Sequence, residues 1–85
     1  MNGMINGTIK LSSPLREVMG SSEVSWELPQ GATVSSLIEY LKKRFPEWRQ
    51  WTDRTLIIVN GRYATTEASL QNGDEVTILP FVSGG

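Results

Sequence analysis

The chain contains neither cysteine nor histidine, and those two absences remove most of the chemistry a small protein could perform. Without cysteine there is no disulfide and no thiol nucleophile, and without histidine the commonest general base and the commonest metal ligand are missing. A secreted domain of 85 residues would ordinarily be stapled by disulfides, so their lack suits a reducing compartment. Excess charge is absent too. Eight basic side chains face nine acidic ones, for a net charge of −1 and a pI near 5.3, so no basic surface is available for a phosphate backbone and nucleic acid is not an expected partner. No apolar run approaches the roughly 20 residues of a membrane span. Met1-Asn2-Gly3-Met4 lacks the basic stretch and apolar core of an export signal. The expectation is a cytoplasmic protein with no membrane partner.

The acidic residues do not repair the chemical deficit. They lie singly along the chain except for Asp74-Glu75, and on a strand adjacent side chains point to opposite faces. Ser12-Ser13, Ser21-Ser22 and Ser35-Ser36 have no histidine to activate them, and turn or capping roles suit them better. With 39% apolar and 20% charged residues the chain reads as one ordinary globular domain. A domain this small buries only about 60–65% of its unfolded surface, which leaves little room for an enclosed active site. A free-standing enzyme is therefore not expected.

Hydrophobic periodicity switches several times. Ile5, Gly7, Ile9 and Leu11 alternate with Asn6, Thr8 and Lys10, which predicts a half-buried strand stopped by Pro14. After the turn-like Gly20-Ser21-Ser22, Val24, Trp26 and Leu28 alternate with Ser25 and Glu27 in a second strand, closed by Pro29-Gln30-Gly31. The pair suits an antiparallel hairpin with a long loop. Thr33 is placed to cap a helix whose apolar stripe is Val34, Leu37, Ile38, Leu41 and Phe45. Glu39 and Lys43 stand four apart in the favourable order, Lys42, Lys43 and Arg44 complement the dipole of the last turn, and Pro46 ends the helix. Those cations are either solvated or opposite an acidic partner. Trp48 and Trp51 are placed to close the open end of the core. Leu56-Ile57-Ile58-Val59 predicts a central strand with both faces at least partly covered. Asn60-Gly61 predicts a tight hairpin returning through Arg62-Tyr63-Ala64, and Asn72-Gly73-Asp74 turns into a last strand ending at Pro80.

One helix covers one face of a sheet, yet both parities of Leu56 to Val59 are apolar, and Leu79 and Phe81 share a parity opposite to that of Val76 and Ile78. The set turned from the helix, Ile57 or Ile58 with Leu79 and Phe81, either forms an exposed docking patch or lies under loops around Trp48 or Tyr63. Beyond it runs Pro80-Phe81-Val82-Ser83-Gly84-Gly85. Such an ending is either a frayed terminus or a carboxylate on a thread. Glycine suits a thread because it has no Cβ to jam a narrow channel. From Val82 to Gly85 the segment reaches at most about 13–14 Å.

Leu15-Arg16-Glu17-Val18-Met19-Gly20, Val59-Asn60-Gly61, Leu70, Asn72-Gly73-Asp74-Glu75-Val76 and the Pro-x-Val-Ser-Gly-Gly ending together resemble the MoaD/ThiS sulfur carriers, over nearly the whole chain. The length and the Leu-Arg-Glu motif are most similar to the small subunit of molybdopterin synthase. The resemblance implies an α+β fold, the ubiquitin-like β-grasp, with a small mixed sheet and one main helix across it. It implies a domain over residues 1–80 and a flexible C-terminal Gly-Gly tail over 81–85. It further implies that Gly85 is adenylated by a ubiquitin-activating-like enzyme that consumes ATP, and becomes a thiocarboxylate. The carrier would bind no cofactor itself. The recipient would be a sulfur-accepting enzyme such as the molybdopterin synthase large subunit. Leu79, Pro80, Phe81, Val82, Ser83 and Gly84 would then contact partners, with burial the rival role for Phe81. Ser12-Ser13-Pro14 and Phe81 depart from that subunit's usual pattern, and the chain is also similar to carriers serving cysteine synthesis. A thiamine-pathway carrier, a lysine-linked protein modifier and a noncovalent interaction module are the other readings.

Overall fold

A computed structural model describes residues 3–13 and 15–80. The chain runs β1 (Met4–Leu11), a short helix α1 (Leu15–Met19), β2 (Glu23–Pro29), the main helix α2 (Val34–Arg44), two 3₁₀ turns (Pro46–Gln50 and Thr52–Arg54), β3 (Thr55–Val59), β4 (Arg62–Tyr63) and β5 (Glu75–Pro80). The strands form one mixed sheet in the order β2-β1-β5-β3-β4. β1 pairs antiparallel with β2 and parallel with β5, and β5 pairs antiparallel with β3. Helix α2 packs across one face, giving the expected α+β architecture.

Alternation decides which side chains meet the helix. Ile9, Val76 and Ile78 on the central strands are fully buried, as are Val34 and Leu41 of α2, with Leu37 at 1% exposure. Each such side chain contributes roughly 1.5–3 kcal/mol of hydrophobic stabilisation. Thr33 caps α2 as its position predicts: its side chain accepts from Ser36 N–H at 3.4 Å while its own N–H donates to Ser36 Oγ at 3.2 Å. The loop before β5 satisfies two further donors of the first turn, since Val34 N–H reaches Ala68 O and Ser35 N–H reaches Thr66 O, each at 2.9 Å. Pro46 opens the first 3₁₀ turn, which buries Trp48 completely, and Trp51 packs half-buried against the same core.

Three local expectations are corrected. Lys42, not Lys43, pairs with Glu39, at 3.0 Å, because a long side chain reaches either the i+3 or the i+4 neighbour on a helix surface. The loop between β1 and β2 holds α1, whose Leu15 and Met19, one turn apart, are both buried. β3 is not central but second from the edge, although all five of its residues are half-buried, as expected of a strand partly covered on both faces.

A polar clasp holds the N-terminal end of β5. Asp74 is the only buried charged residue among those described, 7% exposed. Its carboxylate accepts from Asn60 Nδ2 and from Gln71 N–H, both at 2.8 Å. Asn60 adopts a φ of 51° and Gly61 of 85°, the paired left-handed conformations of a tight hairpin turn. From that turn Asn60 Oδ1 accepts Glu75 N–H at 2.9 Å. Asn72 Oδ1 accepts Asn6 N–H, also at 2.9 Å. Thus the β3–β4 turn, the loop before β5 and the start of β1 are joined through side chains.

Candidate docking face and tail exit

The register settles which side of each apolar residue is which. Ile57 faces Ile78 across the β3–β5 ladder and Val59 faces Val76, so Ile57 and Val59 join the core, against which both pack. The opposite parity carries Leu56 beside Leu79, Ile58 beside Thr77, and Tyr63 beside Ile58 on the next strand. Between the two residues left open by the sequence, Ile58 is therefore the one turned from the helix. Leu56, Ile58 and Leu79 are half-buried, and Tyr63 is 76% exposed. Trp48 itself is inside the core, and Tyr63 stands exposed on the same face as Ile58.

The band occupies only half of the outer face. Towards β1 and β2 the same surface is polar, with Asn6, Thr8, Lys10, Ser25 and Glu27 and an exposed Lys10–Glu75 ion pair at 3.2 Å. A partner meeting this face therefore finds apolar contact on β5, β3 and β4 and water-compatible groups beyond. Leu56 and Tyr63 were not singled out as members of the patch by the sequence, although Leu56 stands two residues from Ile58 and so shares its face.

At the far end of the band lies the exit of the chain. Leu79 and Pro80 are the last two residues of β5, both half-buried, and Pro80 stands opposite Thr55. Asp74 O bonds towards β1, through Thr8 N–H, and Glu75 O towards β3, through Asn60 N–H. By alternation the missing N–H of Pro80 falls on the β1 side. The β1 ladder has already ended there, at Leu11 opposite Ile78. The proline thus costs the sheet no hydrogen bond and offers no donor for a further strand on that side. Phe81, Val82, Ser83, Gly84 and Gly85 lie outside the described residues, as does the tail they were expected to form.

Among the described residues no three acidic side chains converge on a metal-sized site, and no helix is long and apolar enough to cross a membrane.

The comparisons with known proteins fit this geometry. A model of the ThiS family matches residues 9–85. The molybdopterin synthase sulfur carrier subunit of Dictyostelium discoideum is 31% identical over 80 residues, covering 91% of this chain and 93% of that protein. The crystal structure of H. volcanii small archaeal modifier protein 1 superimposes with a TM-score of 0.85 at 26% identity, over 92% of this chain and 99% of the other. A ubiquitin of Caldiarchaeum subterraneum, 18% identical, shares the fold with a TM-score of 0.66 over 98% of this chain and all of its own. A mixed sheet grasping one helix, with the last strand leading to a terminal segment, defines a ubiquitin-like β-grasp protein. The chain belongs to the ThiS/MoaD family of sulfur carriers.

Proposed function

We propose that this protein carries sulfur as a thiocarboxylate on Gly85 and delivers it, in the cytoplasm, to a molybdopterin synthase large subunit. The observation that supports this reading most directly is the apolar band of Leu56, Ile58, Leu79 and Tyr63, which ends where the chain leaves the sheet at Pro80. A body docked by that band would present the last five residues to the partner's interior.

The chemistry follows from the poverty of a carboxylate as an electrophile. An activating enzyme joins Gly85 to AMP from ATP, releasing pyrophosphate. The terminal sulfur of a persulfide attacks the acyl carbon and expels AMP, and a thiol then cleaves the S–S bond to leave the thiocarboxylate. The carrier supplies no general base and binds no ATP of its own; it supplies position. Leu79 and Pro80 anchor the exit, Phe81 to Gly84 form the thread, and Gly85 bears the reacting carbon. A thread of glycine passes a channel that a Cβ would block.

Intact mass spectrometry of untagged protein from its own host, beside the same protein lacking Gly85, tests the proposal. A fraction heavier by the difference between sulfur and oxygen, absent in the truncation, is the expected result. A plain carboxylate on every molecule after incubation with activating enzyme, ATP and a sulfur donor would overturn it. Gly84→Val is expected to abolish sulfur loading without altering the fold. The likeness to a small archaeal modifier protein supports a second reading, in which activated Gly85 is joined to lysine amines. Lysine conjugates appearing in cell extract with the intact chain and not with the truncation would favour it. Loss of sulfur to added synthase large subunit favours the first, and loss to a cysteine synthase would redirect the pathway.

A further inference from the structure

The β2 edge of the sheet, two strands from the central β5, offers a surface distinct from the apolar band. β2 has no strand on its outer side, whereas the other edge is blunted by a two-residue strand. The hydrogen bonds from Leu11 N–H to Ser22 O and from Gln30 N–H to Gly3 O flank the β1–β2 ladder. By alternation, even-numbered residues of β2 bond to β1, and Ser25 and Glu27 turn their N–H and C=O groups outwards. Glu23 does so too, but the Ser21 hydroxyl already binds both its N–H and its carbonyl. Beside this edge lies a cleft of about 360 Å³ lined by Asn6, Gly7, Ser25, Trp26, Glu27, Tyr40 and Arg44. Arg44 is exposed, donates to Tyr40 Oη at 2.6 Å, and follows Lys42 and Lys43 in the last turn of α2. Trp26 is 1% exposed, and its indole Nε1 finds no acceptor among the described residues.

We propose that this cleft binds an extended acidic peptide, which joins β2 as a sixth strand and turns its carboxylates towards Arg44 on the helix side. Charge selects the occupant. A second copy of the chain, pairing antiparallel about Ser25, would set Glu23 against Glu27 across the new ladder twice, and like charges directly opposite are destabilising. An acidic strand meets Arg44, the basic residue of the cleft, on the helix side. Small apolar residues between its acids meet Ser25 and Glu27 on the other. Backbone bonds at Ser25 and Glu27 supply affinity, and the alternate side chains supply selectivity. The surface owes nothing to sulfur chemistry and lies on the edge strand β2, whereas the chain leaves the sheet from the central β5, so a partner could hold the carrier here while Gly85 reacts elsewhere.

A ten-residue synthetic peptide of alternating valine and aspartate, titrated into the ¹⁵N-labelled protein, tests this. Saturating amide shifts at Ser25, Glu27, Tyr40 and Arg44 are expected, and none from the valine–lysine counterpart. Ser25→Pro removes one outward N–H from an edge strand, where proline is tolerated, and should abolish binding. Arg44→Glu, at an exposed helix position, should weaken binding by about tenfold, with the loss reduced at high salt. The amide spectrum of each free variant reports whether its fold survives. Shifts centred instead on Leu56, Ile58 and Leu79, equal binding of the lysine peptide, or no response at millimolar peptide would overturn the proposal.

Discussion

Replacing Asp74 by alanine removes the acceptor from Asn60 Nδ2 and Gln71 N–H, two hydrogen bonds of 2.8 Å to a carboxylate that is 7% exposed. Hydrogen bonds to charged groups contribute about 1.5–3 kcal/mol each. Because both partners are near the surface the lower figure applies, giving a cost of about 3 kcal/mol for the pair. Asn60→Ala gives up the same bond, loses the acceptor for Glu75 N–H, and puts an alanine at φ 51°, which adds about 1 kcal/mol. With about 1.5 kcal/mol for the bond to the carboxylate and about 1 kcal/mol for the neutral bond to Glu75 N–H, its total is about 3.5 kcal/mol. The two changes share one hydrogen bond, so the double variant should cost about 1.5 kcal/mol less than the sum. Urea unfolding of the four proteins at 25 °C, in a sulfate background that keeps the weakest folded, measures the cycle. Additivity within about 0.5 kcal/mol would refute the claim that these side chains interact, and an Asp74→Ala cost below that figure would show the carboxylate to be solvated.

Gly7→Ala should be more damaging than its single methyl suggests, because a Cβ there would meet Asp74 O and stand 2.7 Å from Cε2 and Cζ2 of Trp26; a loss of about 3 kcal/mol would appear as a Tm lower by about 12–24 °C. Ile58→Asp is expected to leave Tm within a few degrees and to raise the KM of the activating enzyme for the carrier by at least about tenfold, a hot-spot loss at a docking face; an unchanged KM would remove the apolar band from that interface. Lys10→Ala breaks an ion pair whose side chains are 53% and 51% exposed, and its stability should change by less than about 1 kcal/mol in the same urea assay.

What the sequence disclosed was what neighbours in sequence decide. The Thr33 cap, the α2 stripe and the Asn60-Gly61 turn are each written within a dozen residues, and each appears where its spacing places it. α1 was hidden because Pro14 reads as a stop and five residues are too few to show a period, although Leu15 and Met19 carry the i, i+4 signal. β3 misled for a different reason. Apolar residues at both parities do not say which set meets the helix, and only the register to β5 assigns Ile57 and Val59 to the core face. That register also chose Ile58 over Ile57. Asp74 read as a turn residue because its partner Asn60 stands in another turn, and no local pattern joins them. For the site, the sequence named Leu79 and Pro80 at the end of the last strand, while Leu56 and Tyr63 became visible as neighbours only once strands were paired.

The parallel union of β1 with β5 sets the timetable of synthesis. The first strand made must wait for the last, since Thr8 to Leu11 pair with Glu75 to Ile78, and β3 has only two residues of β4 to lean on until β5 arrives. A nascent chain can form the β1–β2 hairpin and helix α2 but cannot close its core. At about 5–20 residues per second the ribosome holds this incomplete sheet for seconds. A chain released short of β5 leaves the core faces of β1 and β3 without Val76 and Ile78 and is exposed to proteolysis. The molecules that endure are therefore those translated through β5, so the sheet itself screens the pool for chains that carry its central strand.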